Sequence, residues 1–248
     1  MRHDLIVPTK ASPAYELNAQ FQDTAAETVL AHVLGRDGCG RIALVSSFGA
    51  DAVVLLHMVS RIDAHLPVLF LDTELLFVET LAYQGDLADH LGLQDIRILR
   101  ADRHDLFAKD PDNLLHHFDP DACCELRKVA PLATGLAEFD TWISGRKRYQ
   151  CGTRSQIPIF ETDAGGKLKI NPLVNWAPGD VQAYIDAHDL PRHPLVGRGY
   201  PSIGCKPCTT QITRGEDPRA GRWRDRGKLE CGIHVLKSKA TDAERSAA

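Results

Sequence analysis

The sequence predicts an α/β fold built on a parallel sheet, and two observations carry that prediction. Short, continuous apolar runs recur at strand length, and between them lie longer stretches whose apolar residues fall at helical spacing. Strand, helix and strand in alternation implies parallel pairing with right-handed crossovers. The first run, residues 41–45 (RIALV), enters a turn of small residues and then a helix over 52–59. LPVLFLD, residues 66–72, is apolar without interruption until its terminal acid, the pattern of a strand buried on both faces. A helix is expected over 74–91, followed by strands at 95–99, 141–144 and 168–174. Pro178 and Gly179 introduce a helix over 180–188. From there to residue 204 the chain is rich in Pro and Gly and has no periodicity, so residues 191–248 read as an arm on the domain formed by 1–190. Glycines beyond it suggest a mobile arm, and only the last dozen residues, KSKATDAERSAA, read as disordered.

Composition narrows the function classes. The 248 residues are 44% hydrophobic and 25% charged, the balance of a globular chain. No apolar run is long enough to cross a bilayer, and MRHDLIVPTK lacks the apolar stretch of a signal peptide, so a cytoplasmic protein is expected. A net charge of −4 argues against nucleic acid as the main partner. The charge is uneven, however: residues 192–228 hold nine Lys or Arg against three acids, and Arg146, Lys147, Arg148 and Arg154 form a second basic group. An anionic ligand or a solvated basic face would each account for this.

The seven cysteines are the most specific signal. In a reducing compartment they point to metal binding or catalysis rather than disulfides. Cys123 and Cys124 are adjacent, Cys205 and Cys208 form a close pair in GCKPC, and Cys231 stands alone among polar residues. The foursome reads as ligands for an iron-sulfur cluster or for zinc, although adjacent cysteines fit one tetrahedral ion poorly. Cys231 reads as a nucleophile, with Lys228 and His234 as candidates for lowering its pKa. Cys39 and Cys151 match no motif and are expected to be inert. At the end of the first strand, Ser46, Ser47, Phe48 and Gly49 open a helix whose unpaired N–H groups can receive an anion. The turn is neither a Walker A loop nor a GxGxxG fingerprint.

Taken together, SSFGADAVVLLHMV, LDTELL, CCELRKVAPL, SGRKRYQ with TR, GCKPC and ECGIH resemble, in this order, the assimilatory sulfonucleotide reductases of the bacterial iron-sulfur type. The resemblance runs from about residue 40 to His234. It implies a Rossmann-like, adenine nucleotide alpha-hydrolase-like fold related to the PP-loop enzymes, with residues 1–190 as the nucleotide-binding domain. The implied activity is reduction of adenosine 5′-phosphosulfate (APS) to sulfite and AMP through an S-sulfocysteine on Cys231. Thioredoxin or glutaredoxin is the implied reductant, one [4Fe-4S] cluster on Cys123, Cys124, Cys205 and Cys208 the implied cofactor, and a homo-oligomer the implied assembly. A tail that closes for the first step and opens for the reductant is expected. The implied substrate contacts are the 46–49 turn, Leu71 near the adenine, Lys128, Gly145, Arg154, Arg219, Arg222 and His234.

The reading of Lys128 also rests on its spacing, four residues after Cys124 and hence on the same face of a helix. Arg219 and Arg222 suit phosphate or sulfate oxygens. The 3′-phosphorylated substrate (PAPS) or dual specificity stays open, because Arg146, Lys147 and Arg148 could hold a further phosphate. More remote alternatives are a PP-loop tRNA-thiolating enzyme, which would need an intact SGGxDS loop, and a metal-stabilised nucleotide-binding module, which leaves Cys231 unexplained.

Overall fold

The computed structural model describes residues 13–35 and 37–234. Two helices, α1 (Pro13–Phe21) and α2 (Ala26–Leu34), precede the first strand, β1 (Ile42–Ser46), and α3 (Ala52–Ser60) follows it. Next come β2 (Val68–Leu71), α4 (Val78–Leu91), β3 (Ile96–Leu99) and the short helices α5 (Arg103–Lys109), α6 (Leu115–Phe118) and α7 (Pro120–Cys124). A π-helical turn over Glu125–Val129 joins α7 to α8 (Ala130–Gly135). Strands β4 (Thr141–Ser144), β5 (Phe160–Thr162) and β6 (Leu168–Ile170) and helix α9 (Pro178–Ala187) complete the set.

The six strands lie in the order β3-β2-β1-β4-β6-β5. All neighbours are parallel except β5 and β6. Every residue of β2 is buried, as its apolar run predicts. One face of the sheet carries the larger core, with Val53, Val54 and Leu56 of α3 packed beside Val181 and Ile185 of α9; the other buries Leu132, Leu136, Phe139 and Trp142. No described helix is long and apolar enough to cross a membrane.

Several boundaries depart from the sequence reading. The helix expected from residue 74 begins at Val78, because Glu74 has a left-handed backbone (φ 59°) and Phe77 is extended. The strand expected over 168–174 stops at Ile170, and Pro172 has no N–H with which to continue a ladder. The helix expected from Asp180 starts at Pro178, whose missing N–H costs nothing in a first turn. Strand β5 has no counterpart in the sequence reading, and it makes that edge of the sheet antiparallel. The edge is tied to α1 by Asn18, whose amide donates to Phe160 O (2.7 Å) and accepts from Phe160 N (3.0 Å).

The arm after α9 is fastened back to the domain. Tyr83 Oη donates to Pro191 O (2.7 Å), and buried His193 meets Thr80 Oγ1 (3.0 Å) and accepts from Leu195 N (3.2 Å). Further along, Lys206 N donates to Leu75 O (2.8 Å), which brings the second cysteine pair to the carboxyl end of β2. The segment KSKATDAERSAA lies outside the described residues.

Candidate active site

The turn after β1 is set by packing. Phe48 N donates to Ser46 Oγ (3.2 Å), and Phe48 has a left-handed backbone (φ 47°), uncommon for a bulky residue. Its ring is fully buried and meets Phe70 edge to face, with centroids 5.2 Å apart. Phe48 therefore shapes the turn from within the core, and Ser46, Ser47 and Gly49 border a cavity of about 450 Å³. Leu71, Lys128, Gly145, Arg154, Arg219, Arg222, Cys231 and His234 border the same cavity. Of the residues expected at the site, Phe48, Arg148 and Lys228 are absent from this lining.

The two cysteine pairs meet at one small adjoining cavity lined by Cys123, Cys124, Cys205 and Cys208, all buried. The first pair is delivered by α7, whose start is fixed by Asp119 accepting from Asp121 N (3.0 Å) and Ala122 N (2.9 Å), with Pro120 in the first turn. Among the described residues, the one trio of metal-capable side chains within 4.8 Å of one another is Asp102, His104 and Asp105, so the four thiols are spread wider than that. Thiolates on one tetrahedral zinc, at about 2.3 Å from the ion, would stand roughly 3.8 Å apart. The wider spread suits ligands on separate corners of a larger cluster.

The π-helical turn sends successive side chains to different tasks, and such turns recur at functional sites. Arg127 is fully buried; its Nη2 donates to Asp110 Oδ2 (2.7 Å) and Asn113 Oδ1 (2.6 Å), and its Nη1 to Thr73 O (2.9 Å). Lys128, next in the chain, borders both cavities together with Thr73 and Cys205. Burial opposes the charge on Lys128, but the sulfurs of Cys205, Cys231 and Cys124 outweigh it and push the ammonium pKa up. The turn is wider than the α-helix that the spacing from Cys124 suggested, yet the Lys128 charge still acts on that thiol.

The tail closes over this junction. Thr210 N donates to Gly221 O (2.8 Å) and Trp223 N to Cys208 O (3.0 Å). Gly221 leaves no room for a side chain, since a Cβ there would lie 2.1 Å from Thr210 O. Trp223, left-handed at φ 48°, packs with Cys205, Cys208 and Cys231, and the Arg222 guanidinium lies 4.5 Å from the centre of its ring. Among the described residues the buried Arg222 Nε has no hydrogen-bond partner, and burial followed by the Arg219 charge lowers the Arg222 pKa while the cysteine sulfurs oppose them. Glu230 accepts a fork from Arg154, Nε at 2.5 Å and Nη2 at 2.7 Å.

The structure does not bring the two candidate activators of Cys231 into that role. Lys228 ion-pairs with Asp121 and donates to Pro120 O (3.4 Å). His234 stacks on Trp142 with centroids 6.0 Å apart; burial, then Lys169, Arg146, Arg154 and Arg219, hold its pKa well below the usual value. It is neutral, whereas the charges of Lys128, Arg154 and Arg222 each act on the Cys231 sulfur. The second basic group is internally paired: Arg146 with Glu161, Lys147 with Asp51 (3.2 Å), and Arg148 through Nη1 to Asn175 Oδ1 (2.6 Å) and Nε to Ile157 O (3.0 Å).

A cavity joining a strand-to-helix turn to a tail cysteine, with four thiols behind it, is the arrangement that the motifs anticipated. Residues 41–211 match the phosphoadenosine phosphosulfate reductase domain. The chain belongs to that family. Among family relatives, it is 48% identical to adenosine 5′-phosphosulfate reductase of Chelativorans sp. (strain BNC1), over 90% of this chain and 91% of the relative. Identity to the protein of that name from Mesorhizobium japonicum is 50%, over 82% of this chain and 80% of the relative. Phosphoadenosine 5′-phosphosulfate reductase of Gloeobacter violaceus is 37% identical over 88% and 92%. The fold of the family recurs in the crystal structure of Candida auris PAPS reductase, with a TM-score of 0.69, 23% identity and coverage of 83% of this chain and 99% of that one.

Sequence reasoning missed Thr73, Arg127, Trp223 and Glu230. Thr73 and Glu230 stand inside recognised motifs, LDTELL and ECGIH, where position was a signal. Arg127 also stands inside a recognised motif, CCELRKVAPL, but its partners Asp110, Asn113 and Thr73, like the packing of Trp223 on the cysteines, appear only in three dimensions.

Proposed function

We propose that this protein reduces APS to sulfite and AMP in sulfate assimilation for cysteine biosynthesis, in the cytoplasm, with Cys231 as nucleophile. The observation that carries the reading is the meeting of Cys231, Lys128, Arg219 and Arg222 at one cavity, with the Ser46–Gly49 turn on the same lining. The sulfur of APS is an electrophile behind anionic oxygens, so a soft thiolate and nearby fixed cations are what attack requires. The Cys231 thiolate forms the S–S bond as the S–O bond to phosphate breaks, and that electron pair leaves with AMP. Lys128, Arg219 and Arg222 balance the charge moving onto phosphate, while neutral His234 offers a hydrogen bond without adding charge. A thioredoxin or glutaredoxin dithiol then attacks Cys231 Sγ, releases sulfite and closes its own disulfide, supplying both electrons.

Cys123, Cys124, Cys205 and Cys208 would hold one [4Fe-4S] cluster, which would supply electrostatic and structural support beside Lys128 rather than electrons. The Ser46–Gly49 turn, Leu71 and Gly145 hold the nucleotide. APS is favoured over PAPS because Arg146, Lys147 and Arg148 already have partners in the protein. The test is sulfite release from APS and from PAPS with thioredoxin, thioredoxin reductase and NADPH. Sulfite from APS is the expected result, and none from either nucleotide overturns the reading.

A further inference from the structure

No helix or strand contains residues 226–234, so no backbone ladder fixes the course of the nucleophile's segment. Its approach is also strained. Trp223 (φ 48°) and Asp225 (φ 63°) are left-handed without being glycine, and Gly227 (φ 60°) follows them. Such a course persists only where the surroundings over-determine it. Two cations supply that hold. Arg226 Nη1 donates to His116 O (2.5 Å). Lys228 donates to Pro120 O (3.4 Å), ion-pairs with Asp121, and lies 5.9 Å from the centre of the Trp223 ring.

The acceptors of both cations lie on one short stretch of chain. His116 belongs to α6, and Pro120 and Asp121 open α7, the helix that delivers Cys123 and Cys124. The tail is thus fastened to the element that carries the first cysteine pair. Neither Arg226 nor Lys228 borders the large cavity, so neither is placed to meet the nucleotide. The hold is also light. The Lys228 side chain is 9% exposed but that of Asp121 is 88% exposed, and an ion pair open to water on one side contributes little. Contacts of this strength keep a segment closed without locking it.

We propose that Arg226 and Lys228 are positioning residues that latch the nucleophile's segment onto α6 and α7, holding Cys231 at the cavity for attack and releasing it for the reductant. The inference rests on the reaction proposed above, in which Cys231 Sγ meets first a nucleotide in the cavity and then a protein dithiol. It gives Lys228 a task other than activating the thiol.

Lys228→Met keeps the aliphatic stem and removes the charge, Lys228→Arg keeps a cation, Asp121→Asn breaks the pair from the other side, and Arg226→Gln removes the second contact. In full-length, iron-loaded protein without nucleotide, alkylation of Cys231 by iodoacetamide reads how often the tail is open. It is followed on the tail peptide by mass spectrometry from about pH 6 to about pH 10, spanning the usual thiol range. The plateau rate at high pH should rise by about 2-fold to 5-fold in Lys228→Met and Asp121→Asn, the range of a partly exposed ion pair, and stay near the parent in Lys228→Arg. Arg226→Gln loses a charged hydrogen bond and should rise by about 10-fold. The pH midpoint should not move. A midpoint that climbs in Lys228→Met with an unchanged plateau makes Lys228 an activator of the thiol, and the proposal falls. The two half-reactions should also part in Arg226→Gln. Adduct formation from APS should slow, while thioredoxin should release sulfite from the preformed adduct faster; equal slowing of both steps marks a merely structural loss and overturns the latch. Alkylation needs no nucleotide, so an unchanged plateau in all variants refutes the latch even if the parent forms no adduct, a result that would instead count against the proposed reaction.

Discussion

Thr73 Oγ1 lies 3.2 Å from Cys205 Sγ, at the wall shared by the two cavities. Cys205 differs from the other members of its foursome. Burial raises all four thiols, taking Cys123 up to about 12 and leaving Cys124 and Cys208 above the usual value. At Cys205 burial is outweighed by Lys128 and then by the Thr73 hydroxyl, so the net shift is downward. One ligand of the proposed cluster thus touches the residues that face the nucleophile.

Protein purified without oxygen is expected to be brown, with iron and labile sulfide near four each per chain, as such clusters require. Cys205→Ser should lose most of both. Elemental analysis that finds stoichiometric zinc and no iron in the parent would refute the cluster assignment.

Cys231→Ser separates the two cysteine jobs. Sulfite formation should drop to background because a hydroxyl has far too high a pKa to replace a thiolate, while iron content and APS binding persist. Mass spectrometry of the parent protein given APS alone should find one added SO3 group on the tail peptide. An adduct on Cys39 or Cys151 would contradict the assignment.

Lys128→Ala should lower turnover by roughly 10²-fold to 10³-fold, the usual loss for a preorganised donor at developing charge. Iron content should hold, since Lys128 is not a proposed ligand. Equal turnover in parent and variant would remove Lys128 from the mechanism.

Two glycines predict opposite balances of stability and activity. In Gly221→Ala the new Cβ would meet the Thr210 backbone at 2.1 Å, which cannot swing aside, so melting should show a loss of about 1–3 kcal/mol. In Gly204→Ala it would meet the end of the Arg222 side chain at 2.2 Å, which can move. That variant should melt nearly as the parent does but turn over more slowly, because Arg222 is displaced from the cavity.

His193 predicts an acid sensitivity. Burial brings its pKa down from 6.5 to about 4, so the native form is neutral. The stability it supports is complete above pH 6.5 and is lost progressively as pH falls toward 4, where the unfolded chain takes up the proton first. Thermal melts from pH 7.5 to 4.5 should therefore decline less steeply in His193→Gln than in the parent.

Much of this was legible in one dimension. The apolar runs at 41–45 and 66–72 gave β1 and β2 because strands buried on both faces need uninterrupted apolar residues. The cysteine spacings anticipated which thiols would gather. What stayed hidden depends on partners distant in sequence. Strand β5 carries Glu161, an acid that makes a poor strand signal alone and is accommodated by Arg146 and Lys169. Glu230 and Arg154 are separated by 76 residues, and nothing local marks either as the other's partner. Phe48 sits in a turn whose neighbours line the cavity, and only its packing on Phe70 explains why its ring turns inward.

The amide of Asn18 has a consequence for how these molecules behave in a crowd. An outermost strand offers unpaired N–H and C=O groups on which another chain can nucleate a new strand. At β5 the Asn18 side chain answers both backbone groups of Phe160, imitating the neighbour that the sheet lacks. A helix that precedes the sheet in sequence thus acts as a stopper on its far side, and the short last strand is shielded from edge-to-edge aggregation.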